Sequence, residues 1–234
     1  MKKIRVLYIE FDNELKAYEI PAFRSAIIKK AGKDHILFHN HLKDNFRYAY
    51  PLIQYKVANN HPVILCIEEG IEEIHHFFNN KQWKIAINGK KHELKIKRLN
   101  VNQFVMQVWD KNFNYEIRNW LALNQKTYNV FKKIEDEEEQ KIFLEKILTG
   151  NILSFAKGIN WTIDKPIKLD IKKIKETKLI KIKNTKFETY TLTFTTNVFL
   201  PNYTGLGKNV SKGFGIVKQI SKIIKDTNAQ IEDE

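Results

Sequence analysis

The sequence predicts an α+β protein built from two tandem ferredoxin-like (RRM-like) domains. Its 234 residues suffice for two small domains that each bury a hydrophobic core. In the first half, strand and helix patterns follow one another in the order β, α, β, β, α, β, and the second half begins β, α, β, β. We expect an N-terminal domain over residues 1–112, a C-terminal domain over 113–225 and a polar tail over 226–234.

The elements of the first half follow from hydrophobic periodicity. The β-rich "IRVLYIEF" predicts a first strand, and "EIPAFRSAIIKKAG" predicts a helix with Pro21 in its first turn and Gly32 at its end. Residues 52–57 and 63–67 flank the turn "ANNHP" and predict a hairpin. "EEGIEEIHHFFNN" has a helical period, and "WKIAI" returns to strand as the last β element of this half.

The second half begins with the strand-like "YEIRNWLAL", followed by a helical region from about 125 to 157 that is interrupted near residues 135–139. Two long β segments come next. The first, "PIKLDIKKIKETKLIKIKN", alternates apolar residues with lysine, so we expect one strand face to carry a row of lysines that could follow RNA phosphates. A glycine-rich loop then precedes the last strand, at "FGIVKQI".

Composition and charge narrow the functional classes. Lysine and arginine total 40 against 27 acidic residues, a net charge of +13 that favours a polyanionic partner such as nucleic acid. A hydrophobic content of 43% argues against a largely disordered chain, and a single cysteine, Cys66, excludes a disulfide framework or a cysteine-rich zinc site. No apolar run is long enough for a membrane span or a signal peptide, so we expect a cytoplasmic protein.

The glycine-rich loop "GLGKNVSKGFG", residues 205–215, contains two Gly-x-Gly pairs. Glycine lets backbone amides approach a phosphate, and the loop also offers Lys208, Ser211 and Lys212. The spacing does not match a Walker loop, and Val210 occupies the third glycine position of a dinucleotide fingerprint, so we expect no nucleotide cofactor. Contact with RNA and a purely structural turn both remain open.

Two histidines, His39 and His41, lie two residues apart, and three interpretations apply to them. A metal site would need further ligands, and no complementary motif involves the other histidines, which are His35, His61, His75, His76 and His92. We therefore predict no metal. The second interpretation is a pair of solvated loop residues. The third is an acid/base pair that acts on RNA, which carries its own nucleophile in the 2′-OH. Lys30, Arg24 or Lys56 would then supply the positive charge that stabilises the phosphate.

Four stretches together resemble signature blocks of one protein family. They are "FHNHLKDNFRYAYPLIQYK", "NWLALNQKTY", "GNILSFAKGI" and "LPNYTGLGKNVSKGFG", and they span residues 38–215. These blocks are similar to those of the CRISPR-associated repeat-RNA (pre-crRNA) processing endoribonucleases, in the branch linked to subtype I-B systems. The histidine block is the most specific of the four.

The resemblance implies a metal-independent endoribonuclease that cuts precursor CRISPR RNA within repeats by 2′-OH attack. It would leave 5′-hydroxyl and 2′,3′-cyclic phosphate ends. The family's catalytic positions fall on His41, His39, Lys30 and Tyr48, and its glycine-rich loop on Gly205, Gly207, Gly213 and Gly215. Relatives usually have proline where Asn119 precedes Trp120, which affects a local turn.

CRISPR repeat RNA is the expected partner of such a protein, with subunits of a CRISPR effector complex as further candidates. We expect a monomer or a homodimer, with no membrane association and no cofactor. The alternative is a repeat-RNA-binding subunit of the same fold that does not cleave. Retention of both histidines, His39 and His41, favours the enzyme.

Overall fold

The structure is a computed structural model that describes residues 1–32, 35–38, 49–80, 82–182 and 184–221. Its first half contains six strands and three short or medium helices within those ranges. In chain order they are β1 (Lys2–Phe11), α1 (Ile20–Ala31), β2 (Ile53–Ala58), β3 (His61–Ile67), α2 (Glu69–Glu73), α3 (His75–Phe78), β4 (Lys84–Ile87), β5 (Lys90–Glu93) and β6 (Ile96–Met106).

Helix α1 begins and ends where its sequence predicts. Pro21 occupies the first turn, where the missing amide hydrogen removes no helical bond. At the other end Gly32 has a φ of 114°, and its amide donates to the carbonyl of Ile28 at 3.0 Å. A side chain disfavours such a φ, so glycine ends the helix at low cost.

The main sheet of this half has the order β2-β3-β1-β6, with every neighbouring pair antiparallel. This is the ferredoxin-like order, with β6 as the fourth strand. The sequence-based assignment of the fourth strand to "WKIAI" was wrong: that segment forms β4, which pairs with β5 in a separate hairpin and with no other strand among the described residues. The pattern alone could not separate the two, because a short apolar alternation suits a hairpin as well as a sheet edge.

The second half has four strands and two helices in the described ranges: β7 (Val108–Trp120), α4 (Gln125–Phe131), α5 (Glu137–Gly158), β8 (Leu169–Ile182), β9 (Thr185–Val198) and β10 (Ile216–Gln219). Both helices have side-chain caps. Asn124 accepts from the Thr127 amide at 2.7 Å, and Asp136 accepts from the Glu139 amide at 2.8 Å. Three glutamates in the first turn of α5 also suit the positive end of its dipole.

The second sheet, β10-β7-β9-β8, repeats the strand order of the first, again with antiparallel pairs. Only a short 3₁₀ turn, Val210–Lys212, lies between β9 and β10 where the first half has α2 and α3. The predicted α+β class with tandem ferredoxin-like topology is confirmed. None of the helices in the described parts of the chain combines the length and the apolarity that a membrane crossing needs.

Two hydrophobic cores hold the molecule together. The smaller core packs one face of the first sheet, including Ile9 and Ile64, on α1 and α3. The larger core surrounds α5 and the second sheet, and it also takes in Val6, Leu65 and Ile67 from the opposite face of the first sheet. The first sheet is therefore covered on both sides, and the two halves share a core.

Candidate functional site

The glycine-rich loop is fixed to the end of β7 by its own backbone. The Leu206 amide donates to the Gly215 carbonyl at 2.9 Å, which brings the two ends of the loop together. The Gly215 amide donates to the Asn119 carbonyl at 3.1 Å, and the Lys208 amide donates to the Leu121 carbonyl at 3.2 Å. These amides are already used within the protein. A ligand of the loop would therefore meet its side chains and its remaining amides.

Glycine is required in this loop by close packing as well as by conformation. Gly207 has a φ of 93°, and a Cβ atom there would lie 2.7 Å from Nε1 of Trp120. Gly213 has a φ of 85°, and a Cβ atom there would lie 2.4 Å from Cδ1 of Ile20 at the start of α1. The loop is therefore wedged between the second sheet and the helix of the first half.

Two hydrogen bonds join the loop to the first half of the chain, and a third connects the two first-half residues that make them. The Gly205 amide donates to Oε1 of Gln54 at 3.0 Å, and the Gly205 carbonyl accepts from the Tyr50 hydroxyl at 2.8 Å. Nε2 of Gln54 in turn donates to the Tyr50 hydroxyl at 2.8 Å. Burial raises the pKa of Tyr50, so its hydroxyl stays protonated as the donor to the loop.

Lys56, which the sequence predicts to contact RNA, lies beneath this loop and has an exposed fraction of 0%. A Cβ atom placed on Gly205 would lie 3.1 Å from the Lys56 ammonium nitrogen, which has no hydrogen-bond partner among the described residues. Burial lowers the pKa of Lys56 to about 7. In this arrangement an external ligand does not reach the ammonium group, because the glycine-rich loop covers the face of β2 from which the Lys56 side chain extends.

The other predicted polar residues of the loop, Lys208, Ser211 and Lys212, are partly exposed. Ser211 and Lys212 lie in the 3₁₀ turn Val210–Lys212. Burial lowers the pKa of Lys208, which places part of its side chain against the protein. These three side chains are polar groups of the loop that a ligand could contact from outside.

His39, His41 and Tyr48 lie outside the described residues, but the residues flanking their segment are described. On one side, Phe38 is buried, and its carbonyl oxygen lies 3.4 Å from the donating Tyr55 hydroxyl. On the other side, Tyr50 is bonded to Gly205. Both flanks are thus attached to β2 or to the loop that packs on it.

Arg24 and Lys30, the predicted cations of α1, occupy different places. The Arg24 guanidinium carbon lies 6.0 Å from the centre of the Tyr55 ring, the same residue whose hydroxyl contacts Phe38. Burial lowers the pKa of Arg24. Lys30, in the last turn, lines a cleft of about 480 Å³ between α1 and β4 together with Lys84. Arg24 therefore lies near the described flank of the histidine segment, through the Tyr55 ring that it shares with Phe38.

The lysine-rich strand β8 differs from its prediction. Its pairing with β9 shifts register twice, so Lys173 and Lys178 share one face while Lys181 lies on the other. The prediction of one continuous row of lysines on a single strand face was wrong. Acidic neighbours also compensate part of the charge: Lys175 contacts Glu116 at 2.5 Å, and Lys178 contacts Glu176 at 2.8 Å.

The sequence did not predict one cluster of metal-ligating side chains. His35, Glu73 and His76 come together, although 38 residues separate the first two. The only local signal was the three-residue spacing of Glu73 and His76, which places them on one side of the short helices. A search for ligand motifs within one stretch of chain could not have found His35.

Comparison with known proteins covers nearly the whole chain. Residues 2–105 match the family model of the Cas6b N-terminal domain, and residues 107–220 match that of the Cas6b C-terminal domain. An uncharacterized protein of Methanocaldococcus jannaschii is 40% identical over 103 residues, which are 44% of this chain and 69% of that protein.

Solved structures agree with the family models. A crystal structure of Cas6b superposes with a TM-score of 0.83 at 29% identity, covering 94% of this chain and 100% of that one. A second, described as the CRISPR RNA processing endoribonuclease Cas6b, gives 0.71 at 26% identity with the same coverage. A type IV Cas6 crRNA endonuclease, Csf5, shares the fold at 12% identity with a TM-score of 0.55.

Proposed function

Because the chain belongs to the Cas6b family, we propose that it is an endoribonuclease that cuts precursor CRISPR RNA within each repeat. The observation that carries this proposal is the similarity, over 94% of the chain, to a structure described as a CRISPR RNA processing endoribonuclease. The net charge of +13 supports an RNA partner, since lysine and arginine side chains that neutralise phosphates supply much of the affinity for nucleic acid.

The reaction we propose needs no metal ion. A base takes the proton of the ribose 2′-OH, and the 2′ oxygen bonds to the adjacent phosphorus while the bond from phosphorus to the 5′ oxygen breaks. An acid gives a proton to the departing 5′ oxygen. The products are a 2′,3′-cyclic phosphate and a 5′-hydroxyl.

His41 and His39 are the proposed proton-transfer pair, since histidine changes its charge near neutral pH. Lys30 is proposed to stabilise the charge on the phosphate, and Tyr48 to donate a hydrogen bond to it or orient a histidine. The described residues on either side of this segment support the proposal, because the Phe38 carbonyl accepts from the Tyr55 hydroxyl of β2 and the Tyr50 hydroxyl donates to the glycine-rich loop.

The RNA surface we propose combines the outer side chains of the glycine-rich loop with α1. Lys208, Ser211 and Lys212 would contact phosphates, and the four glycines would shape the loop, because several of its amides donate within the protein. Arg24 would contact RNA near Phe38, whereas Lys56, which is buried beneath the loop, would not contact it directly. CRISPR repeat RNA is the proposed partner of the loop side chains and of Arg24.

Replacing His41 by alanine tests the proposed chemistry. In excess EDTA, the parent protein should cleave repeat RNA, and His41→Ala should lose at least about 10²-fold in single-turnover rate, the usual contribution of a general acid or base. The affinity for the RNA should change little. His92→Ala, on strand β5, serves as the control and should cleave at the parent rate.

Three outcomes would contradict this account. Loss of all parent activity in EDTA would indicate a metal-dependent nuclease. RNA binding by the parent protein without any product would instead support the non-catalytic RNA-binding subunit. A parallel loss of binding and cleavage in His41→Ala would make that histidine a recognition residue.

A further inference from the structure

His35, Glu73 and His76 converge at one place on the surface of the first half. Nδ1 of His35 lies 3.0 Å from Oε1 of Glu73, and the His35 and His76 rings stack with their centres 3.5 Å apart. One donor atom from each residue lies within 4.8 Å of the others. The three come from separate elements: the chain after α1, the end of α2, and α3.

We propose that these three side chains bind a divalent transition-metal ion of the zinc class. Two imidazoles and one carboxylate form a donor set that zinc accepts, and water completes its usual four-coordinate shell. The set has no sulfur ligand, which would favour softer ions, and its two nitrogens argue against magnesium or calcium, which prefer oxygen. The site stands independently of the proposed RNA chemistry.

Two of the ligands are already placed for this role. Both His35 and Glu73 are partly buried, with about a quarter of each side chain exposed: 28% and 25%. A Cβ atom on Gly32 would lie 3.2 Å from Cδ2 of His35, so the glycine allows the ring to lie close against the backbone. The Phe38 ring borders the same histidine at 6.4 Å between ring centres.

His76 supplies the adjustment that metal binding requires. Tetrahedral zinc with bonds near 2.1 Å needs donor atoms about 3.3 Å apart and directed at a common point. The His35 and His76 rings are inclined by only 23°, so one ring must turn out of the stack to direct its nitrogen at the ion. Because His76 is exposed, its ring can rotate out of the stack without meeting packed neighbours.

A bound ion would connect parts of the chain that are distant in sequence. His35 directly precedes the 3₁₀ turn Ile36–Phe38, which leads to the segment with His39 and His41. The ion would tie this turn to α2 and α3 and would act as a structural clamp. Its occupancy should raise the melting temperature, because an ion that binds only the folded protein stabilises it.

Metal titration of the full-length protein tests the site. Metal-free protein should bind about one equivalent of Zn²⁺ by calorimetry, and Co²⁺ should give an absorption spectrum typical of nitrogen and oxygen ligands. His76→Ala should weaken Zn²⁺ binding at least tenfold and remove the Zn²⁺-dependent rise in melting temperature. Glu73→Gln, which keeps the side-chain shape, should weaken binding as well.

His75→Ala is the matched control, because His75 is the exposed neighbour of His76 on the same short helix and lies outside the cluster. It should bind Zn²⁺ like the parent. Equal affinity in the parent and His76→Ala, or loss of binding only in His39→Ala or His41→Ala, would overturn the proposal, as would the absence of Zn²⁺ binding. Because EDTA would also remove an ion from this site, cleavage of repeat RNA by His76→Ala in the absence of EDTA, at a temperature where the variant is folded, reports separately on the RNA chemistry.

Discussion

Lys56 is a basic residue whose side chain is fully buried in the folded protein. Its charge is withdrawn from water at the contact between the two halves, next to Gly205 and Gln54. Strand alternation correctly places Lys56 and Gln54 on the face opposite to Ile53 and Tyr55. It could not indicate that the glycine-rich loop, some 150 residues later, would cover that face and bury the ammonium group.

Replacing Lys56 by methionine should raise the free energy of unfolding at neutral pH. The pKa of Lys56 falls from 10.5 unfolded to about 7 folded, so the unfolded chain binds more protons between these values and stability rises with pH through that window. Methionine of similar length has no charge to bury. We expect its advantage to shrink by on the order of 3 kcal/mol between pH 7 and pH 10.5.

Urea denaturation of both proteins across this pH range measures the effect. Comparing each variant with the parent at the same pH cancels the titration of the surface lysines. A constant difference between Lys56→Met and the parent from pH 7 to pH 10.5 would contradict the buried, unpaired lysine.

Helix α5 ends at Gly158 in close contact with Tyr50, a described residue that follows the histidine segment in the chain. The helix was predictable from its periodicity, because Leu144, Leu148, Ile152 and Phe155 form one buried stripe. Its close contact with Tyr50 was not, since a Cβ atom on Gly158 would lie 2.4 Å from Cβ of Tyr50. Such an approach depends on tertiary packing and leaves no periodic signal.

Two glycine-to-alanine substitutions in α5 should therefore have opposite effects. Gly150→Ala should stabilise the protein by about 0.5–1 kcal/mol, because a Cβ atom there meets nothing within 4 Å and alanine favours a helix. Gly158→Ala should destabilise by roughly 1–3 kcal/mol through overpacking against Tyr50. Both residues lie within the helix, so Gly150→Ala is the matched control.

Thermal unfolding of the two variants measures these shifts. Stabilisation by Gly158→Ala equal to that by Gly150→Ala would show that α5 does not hold Tyr50 as described. The hydrogen bond from the Tyr50 hydroxyl to the Gly205 carbonyl provides a further measurement. If Gly158→Ala breaks this hydrogen bond, the glycine-rich loop should be displaced and binding of repeat RNA should weaken.

At the scale of the whole molecule, the two ferredoxin-like halves are one packed unit. They share the larger core, and the glycine-rich loop of the second half is bonded to Gln54 and Tyr50 of the first. The sequence indicated the tandem ferredoxin-like class and the basic charge, although it assigned the fourth strand of the first sheet to the wrong segment. It did not indicate the shared core, because residues such as Val6 and Leu65 have the same pattern whether they face a helix or another domain.

This arrangement places the flank of the proposed histidine pair beside the proposed RNA-binding loop. Tyr50 contacts the loop only two residues after Tyr48, and the opposite flank reaches β2 through Phe38 and Tyr55. A single RNA strand could therefore contact both parts. In the reaction we propose, the 2′-OH at the cut site is the nucleophile, which the protein itself does not need to supply.

Cleavage of a repeat RNA with one 2′-deoxy substitution tests this central claim most directly. The ends of the products from unmodified RNA first locate the scissile nucleotide, and the substitution is then placed on its ribose. We predict that the modified RNA binds with nearly the parent affinity and yields no product at that position. Cleavage of the modified RNA at the unmodified rate would contradict attack by the 2′-OH.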